Sequence, residues 1–335
     1  MIDLRIGDCI EKMKEMEENS VDLILTDPPY ELTSVSNSGS KSKANKGFMG
    51  KAWDGSGIAF DVDMWKEVNR VLKPNGYCLA FSGTRTYHRM AKAIEEAGFE
   101  IQGISEYCYG SGFPKSLDIS KILDKKLGVE RTETYIREDF AKRSNKKPQR
   151  ESQCICGEKG VYTLPASDIA KQYEGYKTSL KPAKEPIVVA RKKSEDNVAS
   201  IDFLPFVYCA KASKKERNED IYGNQIDGTL KQKIFNGKSG KSSEDMKDVE
   251  KRFTTQPAVN NHPTVKPLKI MKELFKQAIN KEEMVVLDMF AGSGSTGVAI
   301  EKFNIENGTS HKCILIEREK EYAEIIKKRC CLEEV

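Results

Sequence analysis

An acid, two prolines and a tyrosine, Asp27-Pro28-Pro29-Tyr30, close the apolar run Val21–Thr26. Successive prolines fix φ and remove two backbone donors. The corner is therefore stiff, and its carbonyls have lost nearby N–H competitors. Such a corner presents a carboxylate that accepts N–H groups and a ring on which a flat molecule stacks. A second chemical stretch lies near the other end, in "VVLDMFAGSGSTG". Asp288 closes an apolar run, and Gly292, Gly294 and Gly297 follow at G-x-G-x-x-G spacing. Glu317 lies 20 residues beyond Gly297 at the end of the next apolar run, a spacing that suits an acid holding ribose hydroxyls. Alone, the glycines would suggest a dinucleotide. Against that, Asp288 stands where a carboxylate meets a cationic or hydroxyl-bearing ligand. Moreover, only 38 residues follow Gly297, too few to complete a dinucleotide sheet.

The elements that must position these residues alternate. A strand (4–7), a helix (9–17) and strand 21–26 lead to the proline corner. Residues 31–57 are rich in Ser, Gly, Asn and Lys without periodicity, so they are expected to form a loop able to act as a lid. Helix 60–72 is expected to stop at "KPNG", followed by strand 77–81, a helix ending at Gly98 and strand 100–109. From 111 to 256 the pattern turns polar, with strand-like islands at 187–190 and 203–211 and loop-like stretches at 139–160 and 213–253. The rhythm then resumes with a helix in "HPTVKPLKIMKELFKQAI", strand 284–288, a helix to about 303, strand 313–317 and helix 320–330. The fold class expected is α/β, a mostly parallel sheet with helices on both faces. A discontinuous domain, 1–110 with 257–335, would carry it, and 111–256 would be an insert. The glycine loop comes last and the proline corner first, so the order is circularly permuted. Both motifs end strands and should face one crevice.

Composition narrows the class. Of 335 residues, 38% are hydrophobic and 32% charged, enough for a core with long solvated faces. No run approaches the roughly 18 apolar residues of a membrane span, and the first residues lack a signal-peptide layout, so no membrane role and a cytoplasmic location are expected. Residues 111–256 hold 30 Lys and Arg against 22 Asp and Glu, a basic middle in a chain of net charge +4. That asymmetry suits a polyanion surface or a solvated insert. Cys154 and Cys156 hint at a metal, but no second ligand pair follows within 50 residues, so none is expected. S-adenosyl-L-methionine meets the requirements of the motifs: ribose hydroxyls for Glu317, an amino-acid end for the glycine loop, and an adenine needing an apolar cover.

"TDPPY" and "DMFAGSGSTGVA", in that order, with "NHPTVKPLKIMKEL" between them, resemble the site-specific DNA amino-methyltransferases of the permuted, beta-type arrangement. "GFPKSLDISK" and "TSLKPAKEPIVVARK" resemble phage and prophage adenine methyltransferases. The resemblance covers both ends and about half of the insert. It implies a Rossmann-like methyltransferase sheet with an inserted DNA-recognition region and S-adenosyl-L-methionine as cofactor. Asp27, Pro28, Pro29 and Tyr30 would be the catalytic corner. Asp288, Phe290, Ala291, Gly292, Ser293 and Gly294 would form the cofactor loop, Glu317 would hold the ribose, and Asp8 would lie near the adenine. Thr264 and Lys266 would pack on the methionine end. The family often has proline where this chain has Met289, a change the ligand-facing positions 288 and 290 survive. The substrate would be double-stranded DNA; a homodimer and a restriction endonuclease partner stay open.

The chemistry follows from the corner. An exocyclic amine is a poor nucleophile because its lone pair is delocalised. Asp27 can accept one N–H and the Pro28 carbonyl the other, aiming the lone pair at a sulfonium methyl for direct in-line attack. Tyr30 offers a stacking face to a base flipped from the duplex. In the family it resembles, Asp at the first position leans towards N6 of adenine; N4 of cytosine stays open. Two other classes stay open as well: an NAD(P)-linked oxidoreductase, and a DNA-binding protein without catalysis. Trp53 could touch DNA or pack, and His262 belongs with the turn before its helix.

Overall fold

The computed structural model describes residues 1–30, 56–109, 117–136, 161–177, 183–195, 199–226, 260, 262 and 264–332. The expected loop 31–57 apart from its last two residues, Trp53, Cys154, Cys156, the stretch 139–160 and positions 227–253 lie outside the described residues. The chain divides into two compact units, Met1–Ser111 with Ala183–Val335, and Gly112–Pro182.

Among the described residues the larger unit is built on eight strands: β1 (Ile2–Ile6), β2 (Val21–Thr26), β3 (Leu72–Phe81), β4 (Phe99–Cys108), β7 (Lys184–Lys192), β8 (Phe206–Tyr208), β9 (Val285–Asp288) and β10 (Lys312–Glu317). They lie in the order β1-β10-β9-β2-β3-β7-β4-β8. All neighbours are parallel except β7, which runs antiparallel to both β3 and β4. The last two strands sit between the first two, as the motif order requires. Leu23 pairs with Val286 and Ile24 with Leu287, so β2 and β9 end side by side.

Alternation along the strands supplies two cores. Leu23, Leu25 and Leu79 face helices α7 (Leu268–Ala278) and α8 (Ser295–Asn307). Ile24, Cys78 and Leu287 face α1 (Cys9–Lys14), α2 (Val62–Val71) and α3 (Tyr87–Glu96). Each helix buries one stripe: Met64, Trp65, Val68 and Val71 on α2, with Asp61 capping its start. The result is a three-layer α/β/α arrangement. Helix α9 (Lys320–Arg329) closes the larger unit, and α6 (Lys214–Arg217) is a single turn.

The strand-like islands of the expected insert behave differently from the rest of it. Residues 187–190 lie in β7, buried in the middle of the sheet, and 206–208 form its edge. An apolar run in a polar stretch finds its burial by joining the nearest unfilled sheet position. The KPNG stop also differs: Val21 pairs with Leu72 and Leu23 with Tyr77, so Lys73–Gly76 bulge out of one continuous β3. Asn75, at φ +64°, takes the left-handed conformation that the bulge needs. Residues 213–226, expected as loop, begin with α6 and a capping box between Ser213 and Glu216.

The smaller unit contains α4 (Ile119–Leu127), α5 (Asp168–Gln172) and the antiparallel pair β5 (Thr134–Ile136) and β6 (Val161–Thr163). Its centre is Asp124, 2% exposed, which accepts from Ser167 Oγ at 2.5 Å, the Ala166 amide at 3.0 Å and Arg131 Nε at 2.6 Å. Among the described residues no helix is long and apolar enough to cross a membrane.

Candidate active site

Because β2 and β9 are neighbours, the proline corner and the glycine loop emerge at one edge of the sheet. A direct bond joins their bases. Thr26 Oγ1 donates to Asp288 Oδ1 at 2.7 Å, the Phe290 amide donates to the same oxygen at 3.1 Å, and Thr296 Oγ1 donates to Oδ2 at 2.5 Å. Asp288 is 2% exposed, and burial pushes its carboxyl up to about 6. With both oxygens engaged, it clamps β2 to the start of α8.

The glycine loop is shaped by its backbone. Gly292 has φ +55° and Gly294 φ +78°. A Cβ at Gly292 would lie 2.9 Å from His262 Nε2, so only glycine passes under that ring. His262 in turn packs edge-on against Tyr322, with centroids 4.5 Å apart. The Ala291 amide donates to the Ile316 carbonyl at 3.0 Å and the Gly292 amide to Glu317 Oε2 at 2.7 Å. The Glu319 amide donates to the other Glu317 oxygen at 2.8 Å. Burial pushes the Glu317 carboxyl up to about 7, against these two amides. Ser293 is buried, and its carbonyl accepts from Arg329 Nη1 at 2.8 Å. Phe290 is half-buried against the α1–α3 side of the core.

Asp8 caps α1, its Oδ1 accepting from the amides of Ile10 (2.9 Å) and Glu11 (3.3 Å). The neighbouring Gly7 amide donates to the Glu317 carbonyl at 3.0 Å, which brings Asp8 beside the end of β10. Thr264 is exposed, with its amide 3.4 Å from His262 Nδ1.

At the proline corner the structure assembles a charge cluster that spacing could not reveal. Lys266, expected on the cofactor, points its ammonium at Asp27 Oδ2 (2.5 Å), Tyr30 Oη (2.9 Å) and Glu185 Oε2 (3.2 Å). Tyr30 Oη donates to Glu185 Oε2 at 2.8 Å. The ammonium also stands 5.0 Å from the ring centres of Tyr30 and Phe81. Thr86 Oγ1 donates to the Tyr30 carbonyl at 2.8 Å and fixes the corner from the start of α3. Pro28 is buried and Pro29 half-buried.

Burial pushes the Asp27 carboxyl above the usual carboxylate range, opposed by Lys266 and assisted by Glu185. Burial would lower the Lys266 ammonium, but Asp27 and Glu185 together raise it. For Glu185 burial acts upward, and Lys266 with Lys211 wins in the downward direction. The site is therefore an ammonium shared by two buried carboxylates. One acceptor remains over: Asp27 Oδ1 is buried with no hydrogen-bond partner. An unmet buried acceptor is costly, and here it belongs to the carboxylate nominated for chemistry.

Sequence reasoning missed Glu185, Thr86 and Arg329. The signal for Glu185 was its place just before an apolar run. In an antiparallel strand the amino end reaches the rim where parallel strands have their carboxyl ends. Strand direction is not written in the sequence, so "KEPIVVA" could not be aimed at Asp27.

A family model described as DNA methylase (N6_N4_Mtase) matches residues 21–328. The chain is 25% identical to Type II methyltransferase M2.LlaDCHI of Lactococcus lactis subsp. cremoris, over 96% of this chain and 87% of that one. It is 24% identical to Type II methyltransferase M2.DpnII of Streptococcus pneumoniae over the same shares. Superposed on the solved structure of the PvuII DNA methyltransferase (cytosine-N4-specific), it gives a TM-score of 0.49 at 16% identity, covering 98% of this chain and 86% of that one.

Proposed function

The chain belongs to the N6_N4_Mtase family of DNA methylases, and on that premise we propose that it transfers a methyl group from S-adenosyl-L-methionine to N6 of adenine at a short specific sequence of duplex DNA. The observation that carries the reading is the buried, unpartnered Asp27 Oδ1 on the proline corner, whose other oxygen is held by Lys266. The partner Oδ1 lacks is an N–H, and an exocyclic amine supplies one.

The residues present fit the cofactor. Glu317 keeps lone pairs on both oxygens beyond its two amide bonds, which suits ribose hydroxyls. The turn Ala291–Gly294 passes through two left-handed glycines, and Asp8 stands beside β10 with Oδ2 beyond its capping oxygen. S-adenosyl-L-methionine, when bound, supplies a methyl on a sulfonium sulfur. The protein's part is on the other reactant. Asp27 Oδ1 accepts one hydrogen of the amine, the Pro28 carbonyl is positioned by its rigid corner to take the second, and Tyr30 stacks the flipped base. Once the nitrogen has attacked, its surplus proton passes to Asp27 or to water. Orientation of this kind is worth on the order of 7–11 kcal/mol, so no covalent enzyme intermediate is invoked.

Adenine is chosen over cytosine N4 because Asp rather than Ser opens the catalytic corner. The unit 112–182, and the segments of 183–256 outside the sheet, serve in this reading as the target-recognition region, and the protein works in the cytoplasm on DNA. The test is to sequence DNA from a methylation-free host expressing the chain and to read modified bases. N6-methyladenine in one sequence context is expected, N4-methylcytosine would move the target, and unmodified DNA would refute the activity. Asp27→Ala should keep binding S-adenosylhomocysteine by calorimetry while transfer falls about 10²–10⁴-fold.

A further inference from the structure

Lys266 can leave Asp27 one free oxygen only while its backbone stays in place. It sits two residues before Leu268, the first residue of α7, and the N-cap of that helix is Pro267, which offers no side-chain cap. An uncapped helix start leaves amides without partners and frays. Here the cap comes from far away in the chain. Glu216 Oε1 accepts from the Leu268 amide at 2.6 Å.

Glu216 is itself held at several points. Its Oε2 accepts from the Ser213 amide at 3.3 Å, and its own amide donates to Ser213 Oγ at 3.1 Å. Its carbonyl accepts from Arg329 Nη2 at 3.4 Å. Arg329 is fully buried, and its guanidinium donates otherwise to the Glu219 carbonyl at 3.3 Å and to the Ser293 carbonyl in the glycine loop at 2.8 Å. One residue thus touches both halves of the site: through its carboxylate, the segment that carries Lys266; through its carbonyl and Arg329, the loop expected to hold the cofactor.

Building on the methyltransferase reading, we infer that Glu216 is a positioning residue for methyl transfer, acting by capping α7 so that Lys266 stays on Asp27 Oδ2. It touches neither reactant. Its loss changes how often the Lys266–Asp27 pair is formed, and so lowers turnover rather than cofactor affinity. Removing the carboxylate leaves the Glu216 carbonyl and its bond to Arg329 intact, which separates the two arms.

The experiment compares wild type, Glu216→Ala and Glu216→Gln for kcat on duplex DNA at saturating cofactor and for the Kd of S-adenosylhomocysteine. Glu216→Ala is expected to lose tenfold or more in kcat with Kd within about threefold. Glu216→Gln is expected within about threefold of wild type in both, because its amide oxygen still accepts from Leu268. A kcat within twofold of wild type in Glu216→Ala overturns the inference; so does a Gln variant as slow as the Ala variant, or a loss confined to Kd. If Glu216→Ala does not fold, Ser213→Ala replaces it, since it loosens the box while sparing the carboxylate. A drop in kcat of about threefold at unchanged Kd is then expected, and wild-type turnover overturns the inference. A wild-type chain that methylates no DNA refutes the activity itself, whereas an active wild type with an indifferent Glu216→Ala refutes only the positioning role.

Discussion

Lys266→Met removes a charge from the centre of the site while keeping most of the side chain's volume. Two unit charges 2.5 Å apart, at an effective dielectric of about 20, attract by about 7 kcal/mol. Desolvation of the ammonium offsets part of that, and stripping one partner from a buried pair costs about 3–5 kcal/mol. In the variant Asp27 keeps Glu185 as a buried neighbour of like charge and loses the cation between them. Without the ammonium that opposes burial, its carboxyl should climb further from an already raised position. In the proposed mechanism transfer needs the ionised carboxylate, so the acid limb of the rate profile should move up, and activity at pH 7.5 should fall while recovering at higher pH. The assay is the pH dependence of labelled-methyl incorporation into DNA, at cofactor concentrations raised to saturate the variant. A variant that is slower at every pH, with an acid limb unmoved from the wild-type position, would refute the electrostatic role given to Lys266.

Gly292→Ala places a side chain at φ +55° and 2.9 Å from His262 Nε2. Left-handed backbone costs roughly 1–2 kcal/mol for such a residue, and the imidazole must give way, so the Kd for S-adenosylhomocysteine should rise at least tenfold by calorimetry while DNA binding by gel shift is unchanged. Asp288→Asn tests the buried clamp. A carboxyl raised to about 6 binds a proton in the folded protein that the unfolded chain has released above pH 4, so the wild type loses stability as pH rises from about 4 to 6. The neutral variant does not, and the stability difference, wild type minus variant, should fall by about 3 kcal/mol between pH 4 and pH 8. A difference constant with pH in denaturant titrations would contradict the assignment.

The two ends of the chain were legible because their signals are local. A stiff Pro-Pro corner, a glycine turn with an acid after the next strand, and strands separated by amphipathic helices are all visible within short windows. Their meeting was also legible, since both motifs end strands and ligands gather at the carboxyl ends of such strands. The protein partners of Asp288 and Lys266 were not legible, because type and spacing give a residue's place on the chain but not which partner its atoms reach. Asp288 bonds Thr26 from 262 positions away, and Lys266 reaches Asp27 across 239. Glu185 was invisible for a related reason: its run was legible as a strand, but its direction depends on the gap left between β3 and β4, a property of the assembled sheet. Residues 213–226 looked like loop because their order comes from single hydrogen bonds rather than an apolar stripe.

The sheet order bears on how this protein is born. Among the described residues β1 pairs only with β10, and Ile2 finds Cys313 across 311 positions. At about 5–20 residues per second on the ribosome, the first strand waits roughly 15–60 s for its neighbour. Until Lys312–Glu317 emerge, β9 keeps an open flank, and Glu317 is not yet present to brace the glycine turn. A nascent chain can therefore display its proline corner long before its glycine turn is braced. Refolding from denaturant should be slow for the same long-range reason.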